Sequence, residues 1–348
     1  MTRLRAIPAS LAILAIALSL AGLACLLPDN PYQRWQLLHG TMFDEARWIY
    51  ERCHYDPAPI DIAVIGSSRT RQGVNAPRLQ AELAARGIRV NVVNFSVLSP
   101  GRGTDLAIVK EVVATKHPRL IILGIQEKPD RNGHAAYKYL ADAATIVHPG
   151  FGREFGYLAD VGYLPFRQLR LFLARLAPGQ SGLRAKFDPA LYAGSTVDTT
   201  GTTRVDGEVK FKGDDPAPED LLYEEKQGWE ARKGSDDSLP KALRDYAVAD
   251  ERRYVALITS LAKADGAKVA FLYVPYFGGP SVPFNPQIYQ GLGPIWSADF
   301  VSDHPEWYAD VVHLTRTGAR SLTDWLVAPV AATLAASPPE APAGAAHP

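Results

Sequence analysis

The chain has 348 residues, of which 47% are hydrophobic and 21% are charged, and its 37 basic residues balance 37 acidic ones. This length suits one large domain or two ordinary ones with a full hydrophobic core. The zero net charge gives no electrostatic reason to expect a nucleic-acid partner. Two cysteines, Cys25 and Cys53, are too few for a disulfide framework or for a metal site of the Cys/His type.

Residues 1–28 predict a membrane anchor. Arg3 and Arg5 precede an uncharged run over residues 6–27, and about 20 apolar residues are enough to cross a bilayer as a helix. The basic flank is expected to stay in the cytoplasm, so that the rest of the chain is exported. A cleaved signal peptide, with Gly22-Leu23-Ala24 as cleavage site, and a lipid-modified Cys25 are the alternatives. The length of the run favours an uncleaved anchor.

The middle of the chain has the pattern of an α/β fold. Residues 29–59 are interpreted as a juxtamembrane connector, and strands then alternate with helices through a domain over residues 60–330. Such alternation implies right-handed crossovers and a mostly parallel sheet. The strands are predicted at residues 60–65, 90–95, 119–125 and 268–275.

Two stretches depart from this alternation. Residues 150–245 hold an amphipathic segment and then a polar stretch in which Asp206-Gly207 suggests a hairpin turn. We interpret this region as an insertion that serves as a lid or as a surface for a partner. Residues 331–348 are rich in Pro and Ala, and we expect a disordered tail there.

Residues suited to nucleophilic chemistry follow the first strand and stand near the end of the chain. The first strand leads into Gly66-Ser67-Ser68, and functional groups in a parallel sheet gather at the carboxyl ends of strands. A serine nucleophile needs a base in hydrogen-bond reach and a third group to orient that base. Asp310 and His313 have the spacing of one short turn, which lets the carboxylate hold the imidazole. A plain turn at Ser68 and a helix cap beside His313 are the structural alternatives.

These motifs resemble the conserved blocks of the SGNH/GDSL hydrolase superfamily. The similar segments are Gly66-Ser67-Ser68, an Asn-x-Ser-x-x-Ser after the second strand, a Gly-x-Gln-Glu after the third, and a late Asp-x-x-His-Leu. The resemblance covers residues 60–330 and implies a flavodoxin-like, three-layer SGNH-type fold. It implies Ser68 as nucleophile, His313 as base and Asp310 as its support, with no metal and no cofactor. Ser67 stands where the family's first block has Asp.

The resemblance also implies an oxyanion hole, which departs from the family's pattern. The backbone at Ser68 supplies one donor, and the family's second block supplies a glycine N–H where this chain has Ser99, with Gly101 close behind. The third block supplies an asparagine side chain where this chain has Gln126. This longer amide implies a looser or differently built hole.

The resemblance implies a role at the cell surface. The Gly-Ser-Ser-Arg variant behind a single anchor is similar to exported members such as the D-alanyl transfer protein of teichoic acid and the alginate-acetylation proteins. It implies a single-pass protein of the inner or cytoplasmic membrane that transfers or hydrolyses acyl esters of an envelope polysaccharide. A multi-pass membrane O-acyltransferase is the implied partner. The alternative is a non-catalytic accessory that binds a glycan or that acyltransferase.

Two charged residues beside these blocks are candidates for substrate contact or for an ion pair. Arg69 follows the proposed nucleophile, and Glu127 follows the third strand. Arg69 is suited to an anionic polymer or to the Glu127 carboxylate. His134 is interpreted as a helix-start or surface residue.

Overall fold

The computed structural model describes residues 9–125, 133–148, 156–237, 240 and 248–336, with the backbone alone at 232–237. Its strands are β1 (Ile62–Ile65), β2 (Val92–Asn94), β3 (Leu120–Gly124), β4 (Thr203–Val205), β5 (Glu208–Phe211), β6 (Lys268–Tyr273) and β7 (Ile295–Ser297). Its α-helices are α1 (Ala9–Cys25), α2 (Pro31–Trp35), α3 (Glu45–His54), α4 (Ser68–Gly73), α5 (Ala76–Ala85), α6 (Arg102–Thr115), α7 (Tyr137–Leu140), α8 (Ala143–Ile146), α9 (Tyr157–Leu176), α10 (Pro178–Ser181), α11 (Glu219–Asp237), α12 (Ala249–Ala264) and α13 (Arg316–Ala335). Short 3-10 turns lie at Pro189–Leu191, Pro286–Ile288, Asp299–Asp303 and Pro305–Trp307.

In these residues a five-stranded parallel sheet has the order β2-β1-β3-β6-β7, and β4 and β5 form a separate antiparallel hairpin. Counted along the sheet strands, this is the doubly wound order 2-1-3-4-5. The α/β class and the parallel sheet predicted from the sequence are confirmed. The edge strand β7 was not predicted, because its three residues are too few to show a period.

Side chains of alternate strand residues enter two separate cores, one on each face of the sheet. Ala63 and Ile65 of β1 belong to the core covered by α3, α6 and α12. Ile62 and Val64 belong to the core covered by α5 and α13. Burial of strands on both faces is typical of parallel sheets between helical layers. The observed architecture therefore has three layers.

Residues 29–59, interpreted from the sequence as a connector, pack into the first of these cores. Tyr32, Trp35 and Ile49 are almost fully buried there. Arg52 is fully buried, and its guanidinium donates to the carbonyl oxygens of Ala58 at 2.7 Å and Ser195 at 2.8 Å. The aromatic residues of this segment therefore help to cover one face of the sheet.

The two ends of the chain differ in how far the structure describes them. Among the described residues, no helix is both long and apolar enough to cross a membrane. Residues 1–8 of the predicted anchor lie outside the described part. At the other end, α13 continues to Ala335 through Pro329, past the predicted start of the tail at 331, because Leu334 packs against the core. Residues 337–348 lie outside the described part.

Candidate active site

Ser68 is the first residue of α4, directly after the turn that ends β1. Ser67 is the N-cap residue and has extended backbone angles, φ −87° and ψ −174°. The Val97 N–H donates to the Gly66 carbonyl at 3.0 Å, which ties the turn to the segment that follows β2. Ser68 is half-buried rather than enclosed. The turn therefore presents the Ser68 hydroxyl at the carboxyl end of the sheet.

Two glycines let α4 sit close to the strand ends. A Cβ atom on Gly66 would lie 2.7 Å from Oγ1 of Thr70 and 3.3 Å from the Gly124 Cα. A Cβ atom on Gly124 would overlap the same Thr70 oxygen. Without side chains at Gly66 and Gly124, Thr70 rests directly on the backbone of β3 and of the turn after β1. This contact determines how far Ser68 lies from the carboxyl ends of the strands.

Asp310 and His313 lie in a short closed loop. An isolated antiparallel bridge joins Tyr308 to Leu314, and the Ala309 N–H donates to the His313 carbonyl at 2.9 Å. Oδ1 of Asp310 accepts from the backbone N–H groups of Val312 and His313, both at 2.9 Å. These bonds hold the carboxylate in place beside the imidazole.

The structure brings Ser68, His313 and Asp310 together. Nδ1 of His313 lies 2.8 Å from Oδ2 of Asp310, and Nε2 lies 2.8 Å from Oγ of Ser68. A carboxylate accepts only, so Nδ1 carries the proton, and Nε2 is left to accept from the serine hydroxyl. Thr315 caps α13 by accepting from the Gly318 N–H at 3.2 Å. The helix cap expected beside His313 is therefore present at Thr315, while His313 itself is bonded to Asp310 and Ser68.

The electrostatics of the loop keep Asp310 ionised. Burial by itself raises the pKa of this carboxyl group. The hydrogen bonds and positive potential from His313, with the backbone N–H groups of Val312 and His313, outweigh burial and hold the pKa below its ordinary value. An ionised Asp310 stabilises an imidazolium on His313.

Residues of the insertion over 150–245 contact the site, and the sequence did not predict these contacts. The ring of Phe211, on β5, meets His313 edge-on with centroids 5.0 Å apart. Glu225, on α11, accepts from the Val311 N–H at 2.9 Å and so supports the loop of Asp310 from outside.

The hairpin turn predicted at Asp206-Gly207 is confirmed, with φ values of 48° and 81°. Only that turn signalled the hairpin in the sequence, and it did not indicate what the hairpin would contact.

The segment after β2 carries two of the predicted oxyanion-hole residues in unusual backbone conformations. Ser99 has φ 69° and Gly101 has φ 149°. His134 holds this turn: its Nε2 lies 2.7 Å from the Leu98 carbonyl oxygen, and a Cβ atom on Gly101 would overlap the His134 side chain. The ring accepts from the Ala136 N–H at Nδ1, so Nε2 is the donor. The side chain is buried, so the interpretation of His134 as a surface residue is wrong. Its position just before α7, where its carbonyl accepts from the Tyr137 N–H at 2.9 Å, agrees with a helix start.

Three of the predicted site residues remain, and the structure describes only Arg69 among them. Nη1 of Arg69 donates to the Val274 carbonyl at 3.0 Å, and its guanidinium carbon lies 5.9 Å from the ring centroid of Trp229 on α11. Gln126 and Glu127 lie outside the described residues. The predicted Arg69–Glu127 pair and the amide donor at Gln126 therefore stay predictions.

No family model and no curated protein matches this chain. Within the described part of the chain, no group of three or more His, Cys, Asp or Glu side chains is placed to hold a metal ion. We therefore argue the function from the geometry of the site.

Proposed function

We propose that the protein is a serine acyl-ester enzyme of SGNH type, with Ser68 as nucleophile, His313 as general base and Asp310 as the group that orients the base. The observation that carries the proposal is the continuous hydrogen-bond chain between these side chains. Ser68 and His313 are 245 positions apart in sequence, yet their atoms lie 2.8 Å from each other. Unrelated segments meet in this arrangement in serine hydrolases of several folds.

The reaction would proceed in two halves. Ser68 Oγ attacks the ester carbonyl carbon while Nε2 of His313 takes the hydroxyl proton. The tetrahedral oxyanion collapses, the ester C–O bond breaks, and the leaving alkoxide receives the proton from His313. A second hydroxyl, from water or from a sugar, then attacks the acyl-serine while His313 takes its proton. Collapse releases the acyl product, and that proton returns to Ser68.

The oxyanion needs hydrogen-bond donors that are already in place. The backbone N–H of Ser68 is available, because the first N–H groups of a helix have no partner within the helix. We assign further donors to the turn at Ser99 and Gly101 and to the amide of Gln126. The left-handed backbone at Ser99 supports this assignment, because strained conformations persist where a function requires them.

For the substrate we propose an acyl ester of a cell-envelope polysaccharide. The resemblance of Gly66-Ser67-Ser68-Arg69 to exported O-acylation proteins supports it. The uncharged run over residues 6–27 behind Arg3 and Arg5 supports attachment to the inner or cytoplasmic membrane, with the main domain exported. A multi-pass O-acyltransferase is the partner that this arrangement would serve, and Arg69, which follows Ser68 in sequence, would contact an anionic polymer.

A serine-reactive fluorophosphonate tests the nucleophile on the full chain in detergent. We expect one adduct, located on Ser68 by mass spectrometry, and none in Ser68→Ala. Ser67→Ala is the matched control and should label like the wild type, since its hydroxyl is next in sequence but is not bonded to His313. His313→Ala should label at least about 100-fold more slowly. Equal labelling of Ser68→Ala and wild type would contradict the proposal.

The second candidate function is a non-catalytic accessory that binds a glycan or an acyltransferase. The observation that favours it is that Ser99 and Gln126 replace the glycine and asparagine of the resembled oxyanion hole. Envelope acylation in cells separates the two functions. A catalytic protein loses acylation in Ser68→Ala and in His313→Ala, whereas an accessory loses it only when the whole protein is deleted.

A further inference from the structure

Helix α9 exposes a row of large apolar side chains along one side. Leu158, Phe166, Leu169, Leu173 and Leu176 are between 45% and 81% exposed. After the first, they recur at intervals of three and four residues, which places them on one face of a helix. A helix rises about 1.5 Å per residue, so the row is about 27 Å long. We call these five side chains the α9 stripe. Contiguous exposed apolar surface of this kind marks a binding surface in a folded protein.

The opposite face of α9 is fixed to the domain, so the stripe is not the surface of a loosely attached helix. Leu164, Leu171 and Ala174 are buried. Arg167 is also buried, and its Nη1 donates to two carbonyl oxygens of the α7 region, both at 2.7 Å. The α9 stripe therefore points away from a rigid support.

The α9 stripe lies beside a second apolar surface. Helix α1 contacts α9, has no charged residue, and has large apolar side chains that are each more than half exposed. Nε2 of Gln168 on α9 donates to the Leu27 carbonyl at 3.0 Å, just past the end of α1. The segment just after α1 is therefore hydrogen-bonded to the middle of α9.

The charges on α9 are of one sign where they are exposed. Arg170 and Arg175 are exposed, whereas the one acidic residue of the helix, Asp160, is buried. An apolar row with arginines beside it and no exposed carboxylate suits acyl chains below anionic headgroups. Because both exposed charges of α9 are positive, an anionic surface is their complement.

We propose that α9 lies in the membrane interface, with the α9 stripe against lipid acyl chains and Arg170 and Arg175 at anionic headgroups. The domain is then held at two places, α1 and α9. Two attachments fix its orientation relative to the membrane, which a single anchor does not. The proposal is independent of the catalytic role of Ser68.

Lipid-depth quenching on the full chain tests this proposal. The protein is reconstituted into vesicles of phosphatidylcholine with anionic phosphatidylglycerol, in a Cys25→Ser background. Cys53 is buried, and burial raises the pKa of its thiol to about 12, so it resists labelling. Bimane is attached through Leu169→Cys on the α9 stripe, Leu18→Cys on α1, or Glu219→Cys on the distant α11 as the control.

We expect spin-labelled lipid to quench the label at 169 several-fold more than the label at 219, and iodide in the water to quench it less. Vesicles without phosphatidylglycerol should weaken the lipid quenching at 169 but not at 18, because the arginines lose their partner.

Each contrary result has a distinct meaning. If the label at 169 behaves like the label at 219 while the label at 18 is quenched by lipid, α1 is an anchor and the α9 proposal is overturned. If neither 18 nor 169 is quenched by lipid, the anchor and the α9 proposal are both overturned. Shielding of 169 in native membranes but not in pure lipid vesicles would mean that a protein covers the α9 stripe, and would also overturn the proposal.

Discussion

At the scale of single residues, the tautomer of His313 decides whether Ser68 can be activated. Asp310 accepts the Nδ1 proton and so leaves Nε2 free to accept from Ser68. An amide in place of the carboxylate can donate to Nδ1 and move the proton to Nε2. We expect Asp310→Asn to lower kcat about 10³- to 10⁴-fold, measured on a nitrophenyl ester that the wild type hydrolyses. Asp299→Asn, on a nearby surface turn, is the control and should keep full activity. A small effect in Asp310→Asn would mean that Asp310 does not set the tautomer of His313.

A substitution at Ser99 distinguishes a backbone role from a side-chain role in the proposed oxyanion hole. Its φ of 69° is a conformation that glycine adopts without cost and that other residues reach at about 1 kcal/mol or more. Ser99→Gly therefore keeps the N–H in place and relieves that cost. We expect kcat to be retained, and urea denaturation should show no loss in the free energy of unfolding. A loss of kcat of about 100-fold would instead assign the donor to the hydroxyl of Ser99.

At the scale of elements, the packing of α4 on the strand ends controls where Ser68, the proposed nucleophile, lies. A methyl group at position 124 would overlap Thr70, which is on the first turns of α4. We expect Gly124→Ala to destabilise the protein by about 1–3 kcal/mol and to lower kcat, because α4 must shift. Adding Thr70→Ala removes the colliding oxygen and should restore part of both quantities.

Gly228→Ala is the control for this substitution. Gly228 lies within α11 with no atom near its missing Cβ, so an alanine there should stabilise the helix by about 1 kcal/mol. Loss of activity without any recovery in the double variant would show that position 124 acts other than through α4.

Helix α9 carries a carboxyl group whose burial makes stability depend on pH. Asp160 is 9% exposed, and burial raises its pKa to about 6, with Lys138 opposing the rise. The folded state thus holds the proton more tightly than the unfolded chain, whose pKa is about 3.9. Stability from this group is full below about pH 4 and falls as pH rises to 6.

We therefore expect Asp160→Asn to be more stable than the wild type by about 1–3 kcal/mol at pH 7 and no more stable at pH 4. Urea denaturation at the two pH values measures the difference. Asp215→Asn, at an exposed position, should change stability little at either pH. A gain in Asp160→Asn that is the same at both pH values would mean that ionisation of Asp160 is not its cause.

At the scale of the whole molecule, sequence reasoning succeeded where a signal is local or periodic. Apolar runs separated by helical patterns predict the α/β class and the parallel sheet. The spacing of Asp310 and His313 predicts their mutual contact, and the strand-end position of Ser68 predicts that it lies near them. The catalytic role of this set stays a proposal.

What could not be predicted depends on contacts between distant segments. Trp35 in the core, Phe211 on His313 and Glu225 behind Val311 each join segments that no period or motif connects. Nothing in the residues next to His134 in sequence signals that its side chain is buried. Its burial depends on the turn at Leu98, which is 36 positions earlier.

The distance along the chain between Ser68 and His313 has a consequence for synthesis. Ser68 leaves the ribosome 245 residues before His313, its proposed base, does. For most of the time that the protein is being made, the nascent chain holds the Ser68 hydroxyl without the histidine that is proposed to deprotonate it. We expect acyl-transfer competence to arise only when the segment before α13 has emerged and closed its loop against α4. An incomplete chain released early would thus be harmless to the esters around it.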